Sequence, residues 1–349
     1  MAARRRRPGK PSRVASTSRP GPTARRRGTA AAIENQEAPP AQPPRGGSFP
    51  VVALGASAGG LHALEEFFSS LPAQSGMAFV VVTHQAVGRT SLLPERLARC
   101  AHVPVVEALP GMQVEPDRVY VAPPGSRLRI HGGRFETIRD AGGVSPPLPI
   151  DTFLRSLAED RKHSAFCIIL SGTGTDGTLG LQAIKGESGL VVAQDPASAE
   201  FPGMPTSAIA TGVVDFVLPV AEMPARLIAY ARGPFLRGVE SPPAPAPAER
   251  TTLKQILALL NARTGGDFSG YKVNTLRRRV ERRMALHQLH RMDDYLAWAQ
   301  KDPGELQALF KELLIGVTSF FRDPNAWKAV SAALQSMLAA RPDPSRAST

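Results

Sequence analysis

Val51-Val52-Ala53-Leu54-Gly55-Ala56-Ser57-Ala58-Gly59-Gly60 runs from an apolar stretch into a glycine-bounded turn, and Leu61–Leu71 then has helical spacing. A strand that turns sharply into a helix opens a βα unit, and here Gly55 and Gly59 flank Ser57 as G-x-S-x-G. Glycine gives such a turn steric room and lifts the serine clear of the sheet. The hydroxyl then stands at a helix N-terminus, where free N–H groups and the helix dipole favour developing negative charge. The pattern is common by chance. Its competitor is a phosphate-binding loop of dinucleotide type, which needs glycine where Ser57 stands and an acidic residue after the next strand, where His84 occurs instead.

Outward from this turn, apolar runs alternate with helical patterns. Phe49–Leu54, Ala78–Thr83, Val103–Glu107, Val119–Ala122, Ala165–Leu170, Leu190–Gln194 and Val213–Leu218 read as strands. Leu92–Cys100 and Thr152–Arg161 read as helices, the second with Asp151 as its N-cap. Strands that are apolar on both faces and alternate with helices predict a doubly wound, mainly parallel α/β sheet covered on both sides. This region spans residues 49–232.

A serine hydroxyl is a poor nucleophile until a base takes its proton. His84 follows the strand Ala78–Thr83, and Asp176 follows Ala165–Leu170 in the turn Leu170-Ser171-Gly172-Thr173-Gly174-Thr175-Asp176-Gly177. Three strands thus deliver a Ser, a His and an Asp to the sheet edge where open α/β folds bind ligands. The carboxylate in such a set fixes the imidazole tautomer and stabilises the imidazolium.

The order Ser, His, Asp is similar to that of the chemotaxis receptor methylesterases, the CheB-like family. Their patterns G-A-S-x-G-G, a strand ending in His, A-P-P-G, G-x-G-x-D-G and G-M-P match Gly55–Gly60, His84, Ala122–Gly125, Gly172–Gly177 and Gly203–Pro205. The resemblance implies hydrolysis of glutamyl methyl esters on receptor helices, with glutamine deamidation in some members. It implies Ser57 as nucleophile, His84 as base, Asp176 as orienting carboxylate, and the N–H groups of Ala58 and Thr173 as the oxyanion hole. Two positions depart from the family pattern: Thr173 replaces its usual methionine, and Thr83 its usual glutamine before the histidine. The basic tail stands where typical members carry a receiver domain.

Residues 233–249 contain the Pro/Ala stretch SPPAPAPA at 241–248, read as a linker. Residues 250–340 then show helical spacing only, at Leu253, Ile256, Leu257 and Leu260, at Leu276, Val280 and Met284, and at Leu306, Leu309, Phe310 and Leu313. This small all-α unit, followed by a polar tail at 341–349, resembles the N-terminal domain of chemotaxis receptor methyltransferases, the CheR-like family. The marks are Gly270-Tyr271-Lys272, the Arg-rich segment 277–283, Asp294-Tyr295-Leu296 and Leu314–Asp323. By that resemblance Thr318 and Arg322 help hold S-adenosylmethionine, although Gly316 stands where many relatives have asparagine. No Gly-rich loop for that cofactor follows Arg322, so the sequence reads as a methylesterase–methyltransferase fusion with a truncated second half and no methyltransferase activity. Arg277, Arg278, Arg279, Arg282 and Arg283 flank the stripe Leu276, Val280 and Met284, either as a solvated basic face or as a docking face for Glu-rich receptor helices.

The formal net charge of +12 does not argue for a nucleic-acid binder. Residues 1–48 carry eleven Arg or Lys against Glu34 and Glu37, a balance of +9 that leaves +3 for the rest. That tail, rich in Pro, Gly, Ser and Thr and without apolar periodicity, is expected to be disordered. Contact with nucleic acid or acidic lipid is its alternative use. Its Arg- and Ser-rich start also resembles a transit peptide. No run approaches the ~20 apolar residues of a spanning helix. Cys100 and Cys167 have no partner spacing, and His287 and His290 no companion ligands. The expectation is a cytoplasmic serine esterase acting on methylated chemoreceptor-like proteins without metal or cofactor. Its alternatives are a catalytically silent receptor-binding module and a nucleotide-binding signalling module.

Overall fold

The computed structural model describes residues 49–84, 91–139, 148–237, 247–314 and 330–331. The tails, most of the Pro/Ala stretch, and Thr318 and Arg322 lie outside them. The first half runs β1 (Val51–Ala56), α1 (Gly60–Ser70), β2 (Ala78–Thr83), α2 (Leu93–Ala98), β3 (Val105–Glu107), β4 (Arg118–Val121), β5 (Ser126–His131) and β6 (Arg134–Arg139). It continues with α3 (Pro149–Arg161), β7 (Ala165–Ile169), α4 (Thr178–Gly186), β8 (Leu190–Gln194), α5 (Gly203–Ala210), β9 (Phe216–Leu218), α6 (Met223–Ala231) and α7 (Pro234–Arg237).

Seven strands form one sheet in the order β3-β4-β2-β1-β7-β8-β9, with every neighbouring pair parallel. The chain winds from β1 to one side through β2 and β4, then returns to β1's other side with β7. The β1/β7 boundary is therefore the topological switch point, where such sheets leave a crevice beyond their carboxyl ends. Alternate residues of one strand feed opposite cores. Val52, Leu54 and Ala56 pack with Phe67 and Phe68 of α1, Leu97 of α2 and Leu227 of α6. Val51 and Ala53 pack with Phe153 and Leu157 of α3, Leu181 of α4 and Met204 of α5. Full burial on both faces is why these strands read as continuous apolar runs.

The antiparallel hairpin β5–β6 was not anticipated. Its signal is present: Gly132 and Gly133, at φ 55° and 74°, join two alternating stretches in a tight turn. Leu128, Ile130 and Phe135 cover α3 from this hairpin. The helix α3 begins at Pro149, two residues before the expected cap Asp151, whose carboxylate serves another helix.

The second half is helical as expected, with α8 (Pro247–Thr264), α9 (Val273–Leu286), α10 (Met292–Ala299) and α11 (Pro303–Leu314). Leu253, Ile256 and Leu260 meet Leu276, Val280, Met284, Tyr295, Leu309 and Leu313 in a third core. Helix α8 starts inside the Pro/Ala stretch. Ala285 and Leu286 of α9 belong to the core beneath α1 and α6, so α9 is shared between the two halves.

Candidate active site

Register delivers the first two residues of the site. Strands β1 and β2 pair with Ala56 opposite Thr83, so Ser57 and His84 are the next residues on adjacent strands. On the other flank Gly55 pairs with Ile169, and Ser57 N–H donates to Ser171 O at 3.0 Å. Gly59 caps α1 in the left-handed region at φ 68°, a conformation costly for any residue with a Cβ. A Cβ there would also sit 2.7 Å from the Phe201 ring and 2.8 Å from the Glu200 carboxylate. Gly172 allows a second close approach, since its Cβ would meet Ser57 Cβ at 2.9 Å and would overlap Met204 Sδ.

Asp176 is buried, and its two oxygens are fixed by the first turn of α3. Oδ2 accepts from Ile150 N–H at 3.0 Å and Oδ1 from Asp151 N–H at 2.9 Å. The first turn of a helix leaves its N–H groups without intrahelical acceptors, and this carboxylate supplies two. The same Oδ2 lies 3.1 Å from His84 Nε2, whose ring is one-third exposed. The structure thus brings His84 and Asp176 together and sets both beside the Ser57 turn. The Ser57 hydroxyl itself makes no hydrogen bond among the described residues. Catalytic contacts commonly tighten only when substrate is bound.

The N–H groups of Ala58 and Thr173 likewise donate to no other described residue. Around them the backbone is pinned: Ser171 Oγ donates to Ala58 O at 3.1 Å and accepts from Phe201 N–H at 3.0 Å, and Gly172 N–H donates to Phe201 O at 3.0 Å. Free donors on a fixed loop are what a transient oxyanion requires. The residues that make this brace, Ser171, Gln194 and Phe201, were not foreseen. Gln194 Oε1 accepts Ser171 N–H at 2.8 Å and its amide reaches Ser198 O at 3.1 Å.

Among the described residues no group of three or more His, Cys, Asp or Glu is placed to hold a metal. Both cysteines are free thiols, with Cys167 fully buried.

The arginines expected to form a solvated or docking face make contacts within the chain. Arg282 is 0% exposed. It donates to Asp215 at 2.7 Å, Glu312 at 2.9 Å and the carbonyls of Ser188 and Gly189 at 3.0 and 2.5 Å. Arg279 pairs with Glu312 at 3.2 Å and Arg283 with Glu305. Arg277 pairs with Glu281 at 2.6 Å, and Arg278 lies 5.6 Å over the Phe235 ring. All five arginines thus have partners within the chain, and the fully buried Arg282 has two carboxylates, as a buried guanidinium requires. His287 also contacts Glu305, at 3.1 Å.

Comparison with known proteins gives a consistent picture. Residues 52–227 match the family model described as CheB methylesterase, and residues 251–314 the one described as CheR methyltransferase, all-alpha domain. An uncharacterized 104.1 kDa protein of Rhodobacter capsulatus is 36% identical over 66% of this chain and 26% of its own length. A protein-glutamate methylesterase/protein-glutamine glutaminase of Anaeromyxobacter dehalogenans is 37% identical over 52% of this chain and 54% of its own. One of Moorella thermoacetica is 34% identical over 59% and 50%. The chain thus spans between a quarter and about half the length of these relatives. The crystal structure of the Thermotoga maritima CheB methylesterase catalytic domain is 34% identical, with a TM-score of 0.48 over 52% of this chain and 97% of that one. With the family model covering half of the sequence, from β1 into α6, the chain belongs to the CheB methylesterase family and carries a helical region of the CheR type behind it.

Proposed function

We propose that this protein is a serine esterase that removes methyl groups from glutamate methyl esters on chemoreceptor-like proteins. The observation that carries the reading is the 3.1 Å contact between His84 and the helix-anchored Asp176 at the strand end next to Ser57. Ser57 Oγ adds to the ester carbonyl carbon and gives its proton to His84 Nδ1, the ring nitrogen that faces away from Asp176. This ring order is the reverse of the usual Ser-His-Asp arrangement, in which Nδ1 faces the carboxylate. The oxyanion is received by the N–H groups of Ala58 and Thr173. As the intermediate collapses, the bond to the methoxy oxygen breaks, His84 returns the proton to that oxygen, and methanol leaves. A water deprotonated by His84 then adds to the acyl-serine, releasing the glutamate carboxylate and restoring the Ser57 hydroxyl. An amide in place of the ester would release ammonia by the same route, which fits the double name of the relatives from Anaeromyxobacter and Moorella.

No step calls for a metal or cofactor, because the nucleophile, the base and the oxyanion donors are all protein groups. The free thiols favour a reducing compartment such as the cytoplasm. Methanol release from a receptor fragment carrying methyl-esterified glutamate tests the proposal. Ser57→Ala should lower it on the order of 10⁶-fold and abolish labelling by a fluorophosphonate probe. Near-normal release by Ser57→Ala would overturn the assignment.

A further inference from the structure

Helix α9 has two buried faces. Leu276, Val280 and Met284 point into the helical core, while Arg279, Arg282 and Leu286, spaced i, i+3, i+7, turn toward the sheet domain. On that second face lies a buried ionic cluster built from both halves. Lys185, at the end of α4, is 2.5 Å from Asp215 and 3.0 Å from Glu312. Asp215 immediately precedes β9, and Glu312 is in α11. Arg282 bridges the two carboxylates, and Arg279 adds a third ion pair to Glu312. Three cations face two carboxylates, and carbonyl oxygens at the C-terminus of α4 absorb the surplus. Gly186 O, Ser188 O and Gly189 O all accept from Arg279 or Arg282. The negative end of a helix dipole suits this role. Phe235, beneath Arg278, and the apolar contacts of Ala285 and Leu286 continue the contact away from the ions.

We propose that α9 is an internal docking helix, fastening the methyltransferase-type helical region to the esterase through the cluster of Lys185, Asp215, Arg279, Arg282 and Glu312. The partner that this basic helix face fits is the esterase half of its own chain, not an external acidic helix. Truncating one member of a buried pair leaves the other charge uncompensated, so single changes are costly. The attachment also has a definite place. Lys185 to Gly189 precede β8, and Asp215 precedes β9, at the amino edge of a parallel sheet. Ser57, His84 and Asp176 stand beyond its carboxyl edge. The helical region is thus fixed without covering the nucleophile.

The test is to place a protease site between residues 238 and 246 of the full chain and follow the nicked protein by size-exclusion chromatography. Nicked wild type should elute as one particle at physiological salt. Nicked Arg282→Ala should separate, its association weakened about 100-fold or more. Glu312→Gln, which keeps the shape of the side chain, provides a second variant should Arg282→Ala fail to fold, and it should weaken association in the same direction. Immediate separation of the nicked wild type would overturn the dock. So would pairs carrying Arg282→Ala or Glu312→Gln that hold as firmly as wild type. Fluorophosphonate labelling of Ser57 should proceed equally in intact wild type and Glu312→Gln, and a large loss would contradict the open catalytic edge.

Discussion

Asp151 and Asp176 hold each other's helices in place. Asp176, just ahead of α4, accepts the N–H groups of Ile150 and Asp151 in the first turn of α3. Asp151 returns the bond across the gap, its Oδ1 accepting Gly180 N–H in the first turn of α4 at 2.7 Å. Each carboxylate thus satisfies a helix start other than its own, and the carboxylate that contacts His84 is held in one orientation.

Asp151→Ala should loosen this exchange. Gly180 N–H would be left without its acceptor in a buried setting, a loss of about 1–3 kcal/mol. For a unit of this size, each kcal/mol corresponds to roughly 2–4 °C in Tm. Calorimetry should show the drop, and esterase activity should fall as Asp176 loses its fixed seat. An unchanged Tm would rule out the exchange as a stabilising device.

Asp176→Asn and His84→Ala should separate catalysis from stability. The asparagine costs turnover about 10⁴-fold through the imidazole tautomer. It also lowers Tm, because its amide NH₂ would face a helix N–H that now meets an acceptor. His84, exposed at the strand end, should lose activity with Tm nearly unchanged. Methanol release and thermal melts on both variants check this.

Gly172→Ala tests the close approach behind Ser57. The new methyl would meet Ser57 Cβ and Met204 Sδ, so one of them must move. Displacing a reacting group by about 1 Å can cost on the order of 10²-fold in rate. Fluorophosphonate labelling should slow accordingly, with wild-type labelling as the refuting outcome.

Acid should weaken the helical region and its dock first. Burial raises the Asp215 carboxyl, but Arg282 and Lys185 outweigh it and hold the group at about 2. Burial likewise opposes the hydrogen bonds from Arg283, His287 and Tyr295 that hold Glu305 at about 2. Glu312 is lowered too, burial being outweighed by Arg282 and Lys185. Groups with depressed folded values contribute stability above their unfolded values, 3.8 for Asp and 4.5 for Glu, and lose it as pH falls toward 2. Burial raises Asp151, with the Asp176 charge adding to it, and its contribution runs the opposite way. Tm should therefore fall between about pH 4.5 and 2, and Glu305→Gln should flatten that fall. A melt profile identical in Glu305→Gln and wild type would contradict it.

Much of the site was legible because a parallel sheet writes it linearly. Ala78–Thr83 and Leu190–Gln194 were read with the bounds they have, since strands buried on both faces are unbroken apolar runs. Ser57, His84 and Asp176 each follow such a run. The brace of Ser171, Gln194 and Phe201 was not legible, because its bonds join residues 23 and 30 positions apart. Asp151 was read as the cap of its own helix, the local expectation, while its partner lies 29 residues away on α4.

What the sequence determined by itself was the βα order, the glycine-bounded turn at Ser57 and the placing of Ser57, His84 and Asp176 after strand ends, because each depends on periodicity and on neighbours within a few positions. What only the tertiary structure decided was the fate of the α9 arginines. A helix carrying Arg277, Arg278, Arg279, Arg282 and Arg283 reads as a solvated face or a docking face until Asp215, 67 residues earlier, and Glu312, 30 residues later, are brought against Arg282. Charge can be buried only where folding supplies its counter-charge, and that pairing is a property of packing, not of local sequence.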